Sequence, residues 1–320
     1  MRRQVAALIA KRLVFAVLVM IAVSFATFSL LYLAPGSAEQ ALIGPRPSTP
    51  ELIATLRAQF HLDDPFLVQY WHYLNGVLHG DFGSSIRTAQ PVGEMLSQAA
   101  PVSLFLGIYA FILTIVVGVT LGIVAALRHR TAFDRGVVGL SVVGVSAPAF
   151  ASGFLLMYVF AVELGWFPAV GAGEGFADRL SHLTLPAVAL AISCSALVVK
   201  ITRASVVTAL EQDYVTFARA RGLSQRRVVL AYALRNALVP IIAAGGMIFT
   251  GLLVGAVLVE VTFGVAGFGS LMIDAVDAKD VPTVQGVALV FSFVIVMVNL
   301  VVDLCYLAVD PRIRMQGRIA

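Results

Sequence analysis

The sequence predicts an all-α, polytopic integral membrane protein with six transmembrane helices, and three observations carry that prediction. Of its 320 residues, 59% are hydrophobic and 12% charged, and the mean hydropathy is +0.93. One soluble core of this length cannot hide so much apolar surface. Six stretches contain no Asp, Glu, Lys or Arg and reach at least 20 residues: 13–38, 95–127, 136–162, 180–199, 236–259 and 281–302. Each is long enough to cross roughly 30 Å of hydrocarbon as a helix. The third observation is that basic residues gather in alternate connecting segments.

The first stretch follows Arg2, Arg3, Lys11 and Arg12, an arrangement shared with secretory signal peptides. Its apolar part, Leu13 to Leu33, exceeds the roughly 7–15 residues of a signal core, so a retained helix is predicted. The outer segment 39–94 is too long for a turn. In "STPELIATLRAQF" Ser48 stands three residues before Glu51 with Pro50 between them, the spacing of a capping box. "DDPFLVQYWHYLNGVLHG" restarts with Asp64 before Pro65 and places Phe66, Tyr70, Tyr73 and Val77 at helical intervals. Two short amphipathic helices on the outer membrane face are expected, as a cap over the bundle or as a docking surface.

The second stretch carries Gly118 and Gly122, and the fifth Gly251 and Gly255 with Gly245 and Gly246 upstream. This small-residue spacing lets helix backbones approach, and packing within the chain is the expected use. Residues 128–135 form a short inner loop. Pro148, in "SAPAF", predicts a kink in the third span. The segment 163–182 reads as a glycine-rich outer loop, and 260–280 as a re-entrant or surface turn around Gly264, Gly267 and Gly269. Cys194 and Cys305 lie in or beside predicted helices without metal-ligand spacing and read as packing residues. Without repeats or linkers, residues 1–320 are expected to form one transmembrane domain.

Placing the amino terminus in the cytoplasm puts 17 of the 22 Lys and Arg residues inside, and 13 of the 18 Asp and Glu residues outside. The positive-inside rule therefore makes both termini cytoplasmic. The net charge of +4 is a topology signal, and no nucleic-acid partner is expected.

Enzymatic chemistry finds no footing. No Asp, Glu, Lys or Arg falls within the six stretches, so buried groups for ion-coupled pumping are missing. The histidines His61, His72, His79, His129 and His182 are scattered; His72 and His79 fall two turns apart on one helix, which a surface location accounts for. No phosphate-cradling G-x-x-x-x-G-K-[ST] loop occurs. No cofactor and no metal are expected, and any ATP must be hydrolysed by another chain.

One stretch asks for more. "DYVTFARARGLSQRRVVLAYALRNALVP", residues 213–240 within the inner segment 200–237, holds Arg219, Arg221, Arg226, Arg227 and Arg235. Charge bias permits arginine here but does not explain the length of the connection. The order predicts a short helix ending at Gly222 as a left-handed cap, then a second helix capped by Ser224 and running through "QRRVVLAYALRNALV". Such an elbow, with an apolar ridge of Val215, Phe217 and Leu223 beside guanidinium groups, suits a groove on a partner protein.

This stretch, with "GDFGSS" (80–85), "PVGEML" (91–96), "FGVAGFGSLMIDAVDAKDVPTVQG" (263–286) and "DPRIR" (310–314), resembles the permease subunits of binding-protein-dependent ABC importers, specifically the dipeptide/oligopeptide/nickel permease family. The resemblance spans nearly the whole chain. It implies a type I importer membrane domain in a bacterial inner membrane. It also implies a second homologous permease subunit, one or two ATPase subunits, an extracytoplasmic substrate-binding protein, membrane lipid and a peptide substrate as partners. The elbow resembles the loop that docks into a cleft of the ATPase. Ala218 would be its small residue and Gly222 its turn, with Tyr214, Phe217, Arg219, Ala220, Arg221, Leu223, Ser224 and Arg226 completing the coupling surface. Thr216 stands where the generic loop has Glu, as in the peptide-type subfamily, and Ala266 replaces a usual proline. Nickel complexes, glutathione and other small solutes are alternative cargoes within the same architecture. A secondary transporter or channel would call for an inverted repeat or for helices broken around a midplane charge, and a scaffold for the absence of any ATPase partner.

Overall fold

The computed structural model describes residues 2–33, 43 and 49–309. Ser48 of the expected capping box and "DPRIR" at 310–314 lie outside these residues, and the side chains of Arg235 and Asn236 are not described. Among the described residues the elements are helical: α1 (Arg2–Leu33), α2 (Pro50–Phe60), α3 (Phe66–Leu78), α4 (Val92–Leu127), α5 (Ala132–Ser146), α6 (Ala149–Leu156), α7 (Gly175–Leu210), α8 (Asp213–Ala220), α9 (Gln225–Val228), α10 (Leu234–Thr262), α11 (Phe268–Asp277) and α12 (Val281–Val309). Among the described residues, Ile9–Tyr32, Val92–Leu127, Gly175–Leu210, Leu238–Thr262 and Val281–Cys305 are long and apolar enough to cross a membrane; a sixth span is completed if the bent pair Ala132–Ser146 and Ala149–Glu163 counts as one.

That bent pair puts a bend where the kink was expected, at Pro148, and makes it a sharp break. Its two halves meet at 101°, because proline forces the residue before it out of the helical region. Ala147 is extended at φ −84° and ψ 118°, and Pro148 becomes the residue that opens α6. Ser193 Oγ donates to the Ala147 carbonyl at 3.1 Å, satisfying a group the break would leave bare. The residues at the break, Ser146 to Phe150, are uncharged.

The fourth span also differs from expectation. The predicted outer loop 163–182 is shorter, because α7 begins at Gly175 and runs 36 residues. At about 1.5 Å per residue this is roughly 54 Å, well beyond the hydrocarbon thickness. Asp178 and Arg179 end the charge-free run without ending the helix, and Asp178 Oδ2 accepts from Glu174 N at 2.8 Å where the helix starts.

The described residues form two compact units, 2–5 with 104–265 and 298–309, and 6–33, 43 and 49–103 with 266–297. In the first, α7 is the central rod, packed against α5, α6 and α10. Gly118 and Gly122 meet it closely: a Cβ at Gly118 would stand 2.5 Å from Val198 Cβ, and one at Gly122 2.6 Å from Thr202 Cβ. The packing role expected of this pair is met. It is not met at Gly251, which has nothing within 4 Å, although Gly255 abuts Leu190.

The second unit assembles the two short helices predicted for segment 39–94. Phe66, Tyr70 and Tyr73 of α3 lie on Phe25, Phe28 and Tyr32 of α1, with ring centroids 5.0–5.8 Å apart. The helical face read from the sequence is thus the face that packs. The segment 260–280 contains a true helix, α11, whose start is held by Ser103 Oγ accepting from Phe268 N at 2.7 Å. Val92, Leu96 and Ala99 of α4 share a buried cluster with Phe268 and Val287.

Candidate functional site, an exposed helical elbow

The Arg-rich connection between α7 and α10 folds from local rules. After Leu210 the chain turns at Glu211 and Gln212, and α8 starts with Asp213 in its first turn, where a carboxylate complements the helix dipole. Arg219 closes the last turn with the opposite sign. Gly222 then adopts φ +74°. Its N–H donates to Arg219 O at 2.9 Å and the Leu223 N–H to Ala218 O at 3.2 Å. Both bonds of a Schellman termination are present, and such a termination favours glycine at its left-handed position. The predicted helix, glycine turn and second helix are all found.

Three details differ from the sequence reading. Ser224 stands at the start of α9, but its side chain makes no capping bond; its carbonyl accepts from Val228 N at 3.0 Å instead. The apolar ridge does not face outward as a unit. Val215 is fully buried and Leu223 half-buried, joining Ala218, Val228, Leu210 and Tyr232 in a small core. The outward apolar residues are Phe217, 70% exposed, and Tyr214, 38% exposed. The reason is helical phase: residues 215 and 218 share the inner face, whereas 214, 217 and 221 share the outer one.

The second arm of the elbow does not end with the predicted stretch at Val239. From Gln225 the chain passes through a π-helical turn, Val229–Ala233, directly into α10. The elbow is therefore continuous with a long apolar helix. Tyr214 stacks on Tyr232 at 6.3 Å across the joint. Of the predicted coupling residues, Tyr214, Phe217, Arg219, Ala220, Arg221, Gly222, Ser224 and Arg226 are exposed, Leu223 is half-buried, and Ala218 is buried in the hinge core. A groove of about 460 Å³ runs beside the elbow, lined by Ser205, Thr208, Gln212, Tyr214 and Pro240 among others.

Sequence reasoning missed a clamp in the same unit. Arg203 of α7 grips Asp134 of α5 with two bonds, Nε to Oδ1 at 2.5 Å and Nη2 to Oδ2 at 2.7 Å. The Arg130 N–H also donates to Asp134 Oδ2 at 2.9 Å, and His129 Nδ1 lies 3.1 Å from Arg203 Nη2. Asp134 is buried, and a bidentate guanidinium pair is the strongest form of this contact. The short loop 128–131 is thereby anchored to the helix that leads into the elbow. A basic loop beside a long helix was visible in sequence; the 69-residue separation of the partners was the part that hid it.

Comparison with known proteins places these features. Residues 118–315 match the family described as binding-protein-dependent transport system inner membrane component, and residues 5–107 match the N-terminal region of such membrane components. The chain is 39% identical over 304 residues to the glutathione transport system permease protein GsiC of Salmonella typhi, covering 95% of this chain and 97% of that protein. It is 38% identical over 309 residues to a probable peptide ABC transporter permease protein, y4tP, of Sinorhizobium fredii, covering 96% and 98%. Among solved structures, the MetNI methionine ABC transporter in an inward facing conformation aligns with a TM-score of 0.58 at 13% identity, over 68% of this chain and 96% of that one. At that identity the likeness is one of fold.

Proposed function

Because the chain belongs to the family of inner membrane components of binding-protein-dependent transport systems, we propose that it is the permease subunit of an ATP-driven importer of peptides. In this reading it forms the translocation pathway with a second homologous permease. One or two separate ATPase subunits hydrolyse the nucleotide, an extracytoplasmic binding protein delivers cargo, and residues 1–320 act as one permease domain with both termini cytoplasmic. The names of the relatives favour the cargo class, since glutathione is itself a tripeptide.

The observation that carries the reading is the continuity of the elbow with α10. A short helix whose inner face is locked by Val215, Ala218 and Val228, and whose outer face offers Phe217 and Arg221, is built to take a push. The π-helical turn then joins it to a long apolar helix without a flexible linker. On α10, Leu252, Leu253, Ala256 and Val259 are buried in the chain's own unit, while Met247, Gly251, Val254 and Leu258 recur on the exposed face. That face is where the passage or the second permease is expected.

The test is Gly222→Asp in the reconstituted transporter. Asp tolerates the left-handed backbone better than most residues, so the protein is expected to insert and assemble. Peptide uptake is expected to fall at least about tenfold, a loss of roughly 1.4 kcal/mol of coupling, while ATP hydrolysis no longer responds to the loaded binding protein. Uptake at the parent rate would sink the lever reading, and failure to co-purify with any ATPase would sink the importer reading.

A further inference from the structure

We propose that His61, Asp64 and His72 form a binding site for a divalent transition-metal cation of the zinc class, at the junction of α2 and α3. His61 Nδ1 and His72 Nε2 lie 3.8 Å and 3.9 Å from the same carboxylate oxygen, Asp64 Oδ2. All three donor atoms lie within 4.8 Å of one another. Tetrahedral zinc with bonds of about 2.0–2.2 Å sets its donors roughly 3.3 Å apart. Small rotations of exposed side chains close that difference. Two imidazoles and one carboxylate also match the donor preference of this metal class over that of calcium or magnesium, which take oxygen.

The backbone beneath the three residues is already set. His61 ends α2 in the left-handed region at φ +52°, and the Leu62 N–H donates to Arg57 O at 3.0 Å. This is a Schellman position that favours glycine, yet it carries an imidazole. Buried Gln69 of α3 donates its amide to Leu62 O at 3.2 Å and to Asp64 O at 2.7 Å, and its own carbonyl accepts from the Tyr32 hydroxyl. The turn that holds His61 and Asp64 is thus fastened to the helix that holds His72. Only side-chain freedom is left to lose on binding.

The arrangement is a poor ion pair. Exposed contacts at 3.8–3.9 Å are too long for hydrogen bonds and contribute little by themselves. The two imidazole rings lie stacked, 4.1 Å apart and 15° from parallel, which sets two imidazole donors side by side for one cation. Three protein donors leave a fourth position open, as in metal sites that accept water or a ligand. His61 and His72 also line a cavity of about 250 Å³ together with Gln69, Tyr73, Asn75 and Asp81.

The test uses the full, untagged chain in detergent, titrated with Zn²⁺ by calorimetry and with Co²⁺ by visible absorption. One equivalent of Zn²⁺ is expected, together with the absorption bands of tetrahedrally bound Co²⁺. His61→Gly and His72→Gln should each weaken Zn²⁺ binding at least about tenfold, since even outer partners of a metal site are worth that much. His79→Gln should leave it unchanged. His61→Gly suits the left-handed backbone, so its loss of binding cannot be put down to misfolding. No stoichiometric binding by the parent chain, or unchanged affinity in both ligand variants, overturns the site. None of these readouts depends on transport.

Discussion

Asp280 shows how much a single side chain organises here. It is buried, and its carboxylate accepts from Ser85 Oγ at 2.5 Å, from Ile86 N at 3.0 Å and from Thr283 Oγ1 at 2.8 Å. Hydrogen bonds to a charged group contribute about 1.5–3 kcal/mol each, and orphaned donors add a penalty. Asp280→Ala is therefore expected to cost roughly 3 kcal/mol or more, read as a lowered thermal midpoint in detergent. Asp280→Asn, which keeps one acceptor, should lose less. Gly222 is the contrasting case. Nothing lies within 4 Å of the position a Cβ would take, so substitution there meets only the left-handed backbone, at about 1–2 kcal/mol. Its effect belongs to the elbow's geometry, not to packing.

At the scale of elements, helix contacts decide which small residues matter. Gly118 and Gly122 touch Val198 and Thr202 so closely that any side chain must push α4 away from α7. Gly118→Leu is predicted to destabilise the chain by at least the roughly 1–3 kcal/mol of an overpacked core, measured as loss of the folded fraction on heating. Gly251→Ala, with open space around it, should be neutral or slightly stabilising, because alanine is the better helix former. If the two substitutions behave alike, the close approach of α4 and α7 is wrong. The broken span follows the same logic at larger angle: one proline and the alanine before it make of the predicted kink a break between two helices at 101°.

For the whole molecule, the decisive claim is sidedness. In membrane vesicles, with Cys194 and Cys305 replaced by alanine, a cysteine at exposed Phe217 should react with an impermeant thiol reagent from the cytoplasmic side. One at exposed Trp71 should react from the other side. The reverse pattern would invert the topology and place the elbow away from any ATPase. Labelling of both positions from one side would mean that the bent pair does not cross, which leaves two spans between them.

By itself the sequence determined what local physics controls: which segments are too apolar for water, where a left-handed glycine stops α8, and which face of α3 is aromatic. The charge-free rule misjudged the ends of α7, because a helix needs no apolar residues where it leaves the bilayer. Tertiary structure alone decided the rest. It turned Val215 inward and Phe217 outward, joined Asp134 to Arg203, and brought Ser85 to Asp280 across 195 residues. It also set His61 and Asp64 against His72. Those pairings depend on how each helix is rotated and which neighbour it meets, and in a chain this apolar many rotations satisfy the same composition. Close packing and the need to satisfy each buried polar group select among them.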